Sequence, residues 1–382
     1  MQNPSRYSPA DPDKVPKITE TPAVDTSNKT DSPQQEIPDK KLGKPRSTRN
    51  FMPIIMIWLL CLLAMPIFAQ FEGSVSFGAQ YSDNVFQLSE YDFDRFDAQH
   101  PNLEYARTTD DLTLKTQVDL VYPLRYKWYR FEPSLTASLS QNISNTDKWR
   151  RDILARIAVK RYYWDFKLLY GYYPHSYVKD YVDTNGSGEL ENYSYSRNLY
   201  RADLNVKPLA KTTLRANFRY EEYFYNQHFT EYDGDAKTTG LGIRQNFPLF
   251  ILDASYQYRI FDNWNKEPAH HNSSYESNIY TASIRLKEMP LDDSKKSPAR
   301  WHPSLSYSFE ERFYQTKDTW NGGRIDKIYS TTAGINFKIN NNWNILLDYS
   351  HHLRNIESTN ASIRRLKPYS ENRIQAMAKY HF

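Results

Sequence analysis

Three groups of residues in this chain have types and spacing that could do chemistry. The segment "DYSHHL" sets Asp348, Ser350 and His352 two residues apart. On an extended backbone they share one face, with His351 on the other. A carboxylate, an imidazole and a hydroxyl are the parts of an activated nucleophile. The segment "SEYDFDRFD" brings Glu90, Asp92, Asp94 and Asp97 close together, and carboxylates are the hard oxygen ligands calcium takes. The third group is a long series of Arg and Lys at alternating positions, which would create a field rather than a reaction. The first two have plainer readings. The sequence carries no G-x-S-x-G, H-E-x-x-H or P-loop pattern, and no EF-hand. His270 and His271 stand in a polar stretch without a partner signal. We expect no enzyme, no metal and no cofactor, a solvated acidic loop, and a series of cations as the feature that matters.

The composition says what must position those cations. Of 382 residues, 31 are Tyr and 15% are aromatic, yet mean hydropathy is −0.78. Disordered chains lack aromatics. A polar chain this rich in Tyr, Trp and Phe fits a transmembrane β-barrel, in which one face of each strand is apolar and aromatics gather at the interfaces. The formal net charge is +4, and no zinc-finger, helix-turn-helix or RNA-binding pattern appears, so no nucleic-acid partner is expected.

The chain divides into three stretches. Residues 1–50 are rich in Pro, Ser, Thr, Asp and Lys and cannot bury a core, so they are expected to be a disordered extension. They end in a basic cluster, Lys40, Lys41, Lys44, Arg46 and Arg49. The apolar run "FMPIIMIWLLCLLAMPIFA" follows over 51–69, giving the signal-peptide order of basic region, apolar region and small residue, with cleavage expected after Ala69. Its prolines, Pro53 and Pro66, argue against a permanent membrane helix. The single cysteine, Cys61, would leave with it. Residues 70–382 contain no run long enough for a membrane helix, so a membrane location would require a closed barrel.

Along 70–382 one unit repeats: an alternating segment, a polar loop, a second alternating segment and a tight turn. Short turns such as "VYPLRYKW", "KRYYWDF" and "INNNW" carry Trp128, Trp164, Trp343 and Tyr162, as an interfacial belt would. The opposite ends are long and polar. Short turns on one side and long loops on the other are the asymmetry of outer-membrane barrels. Seven long loops and six short turns imply about 14 strands, at 71–85, 112–122, 128–142, 151–161, 165–176, 194–206, 212–225, 238–247, 251–262, 279–288, 303–314, 330–339, 343–354 and 372–382. Both ends of the barrel domain then fall on the short-turn side. Alternation is plain in 112–120, where Leu112, Leu114, Val118 and Leu120 oppose Lys115, Gln117 and Asp119. The expected fold is all-β, an up-and-down antiparallel barrel.

The alternation ending "RIQAMAKYHF" resembles the bacterial outer-membrane β-barrel class. Tyr380 and Phe382 look like that class's signal to the barrel-assembly machinery. The opening "FGAQYSDNVFQLS" (77–89) is similar to the start of the type 2 β-barrel porin proteins, whose first strand runs into a D-N-x-F segment, here Asp83, Asn84 and Phe86. The likeness implies an outer-membrane location, among lipid and lipopolysaccharide, and a role connected with exopolysaccharide.

Taking the charged face as inward gives the candidates that would line a pore: Lys115, Arg130, Arg156, Arg201, Arg215, Arg219, Arg244, Arg259, Arg285, Lys287, Arg312, Lys338 and Arg373. Lys160, Lys167 and Lys379 share that face. The inward acids are fewer: Asp119, Glu132, Asp203, Glu221, Asp253, Glu310 and Asp348. Any one cation reads as a brace to a neighbouring acid, while the excess over the whole set would favour anions or acidic sugars. Tyr173, Tyr195 and Tyr223 read as packing residues, with stacking on sugar rings as the alternative. The expected function is passive diffusion of small anionic solutes or oligosaccharides. The alternatives are a non-conducting scaffold for exopolysaccharide export or surface assembly, and a lumenal hydrolase using Asp348 and His352.

Overall fold

The computed structural model describes residues 71–183, 188–265, 272–291, 299–318 and 320–382. The expected extension, the apolar run with Cys61, the cleavage site, and His270 and His271 lie outside them. The chain from Phe71 onward is built of long antiparallel strands. They are β1 (Glu72–Ser82), β2 (Asp111–Val121), β3 (Tyr129–Asn142), β4 (Trp149–Lys160) and β5 (Trp164–Val182). Next come β6 (Leu190–Leu209), β7 (Thr212–Tyr225), β8 (Gly234–Asn246), β9 (Phe250–Asn263) and β10 (Tyr275–Leu286). The last are β11 (Arg300–Tyr314), β12 (Ile325–Lys338), β13 (Trp343–Glu357) and β14 (Tyr369–His381). Two short strand pieces, Leu124–Tyr126 and Met289–Pro290, pair with β3 and β11 at short turns. Among the described residues no helix is long and apolar enough to cross a membrane, which says nothing of a β-barrel.

Each strand pairs with its neighbour in sequence, and β1 pairs with β14, so the sheet closes on itself. Closure leaves no open strand edge, the condition for a sheet in a membrane. The closing ladder runs from Ser74 opposite His381 to Ser82 opposite Arg373. Backbone bonds between Gly73 and Phe382 extend it by one pair, at 3.0 and 3.1 Å. The Phe382 ring lies over Gly73: a Cβ there would sit 2.4 Å from it. At the other end of the seam, Asp83 accepts bonds from the Asn372 backbone N–H and side-chain amide, both at 2.7 Å. Asn84 donates to the Ser370 carbonyl at 2.9 Å and accepts from the Leu88 N–H at 2.7 Å. The D-N-x-F segment is thus a clasp that ties β1 to β14 and turns the chain away from the strand.

Side-chain alternation sorts the two faces. On β2, Leu112, Leu114 and Leu120 are exposed on the outer face; on β14, Ile374 and Tyr380 are. Outward aromatics meet directly across neighbouring strands, as in Tyr170–Tyr200–Tyr220 and Tyr256–Tyr280–Phe309–Tyr329, with adjacent centroids 5.1–6.3 Å apart. At the short-turn end Trp128 and Tyr162 are about four-fifths exposed, at 81% and 80%. For these rings the apolar body suits lipid and the polar tip suits water.

Seven strands, β5, β6, β8, β10, β12, β13 and β14, reach several residues further toward the long loops than their alternation predicts. The loops also carry helices that the pattern did not reveal. Ser89 caps α1 (Glu90–Asp97) by accepting from the Asp92 N–H. Asn360 caps α2 (Ala361–Leu366) by accepting from the Ser362 N–H. The guanidinium of Arg365 sits 3.8 Å over the Tyr91 ring, joining the two helices. Leu88, Leu103 and Ile363 are buried in these loops.

Candidate binding site in the barrel interior

The inward face is built from shared ion pairs. Glu221 on β7, 1% exposed, is the busiest acceptor. Arg197 and Arg259 each reach it at 3.0 Å, and Arg219 stands 4.0 Å away. Asp253 takes Arg215 at 2.5 Å and Arg244 at 3.0 Å. Glu132 takes Arg130 at 2.7 Å and also Lys160. Asp326, fully buried, takes Arg324 at 2.7 Å and also Arg354. Nine cations therefore share four carboxylates. Sharing holds the wall rigid and leaves positive charge over.

The remaining candidates are placed as follows. Arg201 pairs with Asp203 at 2.8 Å, Arg312 with Glu310 at 2.6 Å and Arg373 with Glu371 at 2.6 Å. Lys379 reaches Asp119 at 3.2 Å and Lys167 reaches Asp165 at 3.1 Å. Lys115 donates to Gln80 and Gln375, at 2.6 and 2.7 Å, and Arg156 to the Ser134 hydroxyl at 3.0 Å. Arg285, Lys287 and Lys338 form no ion pair among the described residues. Lys338, with His302 and His381, lines a cavity of about 510 Å³ at the short-turn end.

A second cavity, of about 550 Å³, lies at the long-loop end. Six cations line it: Lys179, Arg259, Arg312, Arg324, Arg354 and Lys367. So do nine aromatic side chains, seven of them Tyr, with Phe261 and Trp320. No carboxylate is among its lining residues within the described part of the chain. The acids that hold its arginines, Glu221, Glu310 and Asp326, stand behind them in the wall. The Nε atoms of Arg259 and Arg354 are buried and have no hydrogen-bond partner. The phenol of Tyr223 accepts from Arg259 at 2.9 Å. Tyr193, Tyr225 and Tyr232 pack in a cluster with centroids 5.0–5.8 Å apart.

Two loop lysines bear on this region. Lys367 follows α2 and faces the cavity. Burial, then the nearby Lys179, Arg354 and Arg324, lower its pKa to about 7, against a small opposing pull from Asp92. Lys148 is lowered to about 8, chiefly by burial; it lies 4.4 Å over the Phe86 ring and donates to the carbonyls of Val85 and Val178.

The other groups singled out by type are engaged elsewhere. Ser350 is bonded to Thr332 at 3.0 Å and His351 to Asn372 at 2.9 Å. No hydrogen bond links Asp348, Ser350 and His352 among the described residues. In α1, Asp92 pairs with Arg95 at 3.2 Å. Among the described residues no three His, Cys, Asp or Glu side chains converge as a metal site would need. Tyr173 is covered by Arg197, 4.0 Å above its ring, while Tyr223 lines the long-loop cavity.

Sequence reasoning named Arg259, Arg312 and Tyr223 but missed Lys179, Arg324, Arg354, Lys367 and the rest of the Tyr cluster. Arg354 had a readable signal, since it shares the inward parity of Asp348 and His352. Arg324 and Lys367 sit in stretches that read as loop, and nothing in their neighbours marks them as facing inward.

No family model matches the chain, and no curated protein does. Among solved structures, the chain is similar to an anion-selective porin from Comamonas acidovorans, at 8% identity over 82% of this chain and 99% of that one, TM-score 0.41. It is similar to the outer membrane channel DcaP of Acinetobacter baumannii, at 12% identity over 82% of this chain and 97% of that one, TM-score 0.44. It is also similar to OmpT of Vibrio cholerae, at 9% identity over 82% of this chain and 97% of that one, TM-score 0.43. At that distance the reading of this barrel rests on its own strand ladder and side chains.

Proposed function

We propose that this protein is a non-enzymatic outer-membrane channel through which small anionic solutes, including oligosaccharides, diffuse passively. The observation that carries the reading is the closed ring of 14 strands with an apolar exterior and an interior where cations outnumber the acids they share. Such a ring, at ~4.8 Å per strand and ~40° tilt, has a backbone radius of about 14 Å, wide enough for an aqueous path past inward side chains. A low-dielectric wall focuses the surplus positive field along that path. In this reading residues 51–69 send the chain across the inner membrane. The β14 pattern with Tyr380 and Phe382 engages the barrel-assembly machinery, and the apolar belt meets lipid and lipopolysaccharide.

Reconstitution in planar bilayers under a salt gradient tests it. The reversal potential should report anion preference. Arg215→Glu with Arg219→Glu should weaken or reverse that preference while the folded barrel is retained. Cation preference in the unaltered protein would overturn the proposal. The joined helices in the first and last long loops favour one second reading, a barrel with a narrowed or closed mouth that serves as a scaffold for surface polysaccharide. Absent conductance together with retained folding would support it.

A further inference from the structure

The long-loop cavity has a composition that an open passage for ions does not need. A field requires only charge, whereas here six cations are interleaved with nine aromatic side chains. Aromatic faces bind the flat apolar faces of rings, and guanidinium groups match carboxylates in a planar, paired geometry. The kind of aromatic narrows the choice. Seven of the nine are Tyr, so the cavity offers a ring face and a hydroxyl at almost every aromatic position. The hydroxyls of Tyr223 and Tyr314 already bond Arg259 and Asp326, and those of Tyr193 and Tyr225 bond each other, yet each phenol keeps further bonding capacity that an aromatic acid would not use. A polyhydroxylated ring uses both. The guanidinium groups of Arg259 and Arg354 line the cavity, and their bonds to Glu221 and Asp326 fix them in place. The cavity's volume of about 550 Å³ lies within the range of small-ligand sites.

We propose that this cavity is a binding site for acidic sugars, pyranose rings bearing a carboxylate, with the sugar stacked among the tyrosines and its carboxylate held by Arg354, Arg259, Lys179 and Lys367. The proposal deepens the reading of the barrel as an anion pathway and rests on it: the site would be where a particular class of anion pauses beneath the loops. Lys179 and Lys367 are the most adjustable members, since neither forms an ion pair among the described residues. Arg259 and Arg354 are tied to Glu221 and Asp326 in the wall.

The test uses the purified full-length barrel in detergent and three probes. They are an unsubstituted galacturonate dimer, its methyl ester, which keeps the rings without the charge, and benzoate, which keeps the charge and a ring without hydroxyls. Titration calorimetry, with Trp320 fluorescence as a second readout, should show the acid dimer binding at least about tenfold more tightly than either control, the effect of one charge-assisted hydrogen bond. The double variant Lys179→Gln with Lys367→Gln should lose about tenfold or more in affinity for the acid dimer and little for the ester. Heat-shifted gel mobility confirms that it is folded. Trp320→Leu, which leaves every charge in place, should weaken the acid dimer and its ester alike. Equal binding of the three probes, or tighter binding of benzoate, overturns the proposal. Bilayer recordings separate the two readings. Anion-selective current that the acid dimer does not block leaves the channel standing and removes this site. Acid-dimer binding to a barrel that passes no current supports the site and removes the channel.

Discussion

Glu221 shows how one residue sets the character of the interior. Three arginines from β6, β7 and β9 converge on a single carboxylate that is almost wholly buried. Removing the shared partner of buried charges costs about 3–5 kcal/mol, because the remaining charges stay desolvated. Glu221→Ala should therefore lower the temperature at which the folded form converts to the slower, unfolded gel band. An unchanged transition would mean that water already neutralises those arginines. Lys367 gives a pH dependence whose sign is fixed. Its pKa of about 7 lies below that of an unfolded lysine, about 10.4. Below pH 7 the buried side chain is charged and its full cost to stability is present. The cost fades as pH rises toward the unfolded value. Anion affinity runs the opposite way, since the protonated form is the one that attracts. Binding of an acidic ligand should weaken as pH climbs from 6 to 9 and be flatter in Lys367→Gln. A slope that the variant leaves unchanged would assign the titration to another group.

At the scale of elements, the strands were legible because the period-two pattern is imposed by lipid outside and water inside, and both act on every residue. The strand extensions were not legible. Beyond the lipid the outer face no longer has to be apolar, so Tyr193 and Tyr275 continue the ladder in stretches that read as polar loop. α1 was hidden for a related reason. "EYDFDRFD" is polar overall, and its helix depends on the Ser89 cap and on the Arg365–Tyr91 contact with a segment far along the chain. The site was half legible. Alternation named the cations on the strands, while the cavity that gathers them with tyrosines depends on how the strands and loops converge. Since α2 meets α1 through that contact, Arg365→Ala should loosen the pair, seen as faster proteolysis of the 87–111 loop and larger, noisier single-channel current. Unaltered protection would place the restraint elsewhere. Gly73 sets a limit of another kind. Gly73→Val would drive a side chain into the Phe382 ring, so the refolded fraction should drop while the secondary structure of the collapsed chain persists in circular dichroism.

The molecule as a whole is a ring, and even the nearer pairs of its seam, such as Ser82 and Glu371, are 289 positions apart along the chain. Bringing such distant segments together costs ~5 kcal/mol in loop closure before any contact is made. The Phe382–Gly73 pairing at one end and the Asp83–Asn372 clasp at the other are where that cost is met. Stability here is not a sum over hairpins. A version lacking residues 369–382 keeps thirteen of the fourteen barrel strands yet exposes two raw edges, β1 and β13, that no lipid can solvate. It should yield no folded band in a heat-shift gel and be cleared in the cell by proteases that recognise exposed strand edges. The seam is thus the molecule's own quality-control point: every earlier hairpin is provisional until β14 docks, and one junction decides between a finished barrel and waste.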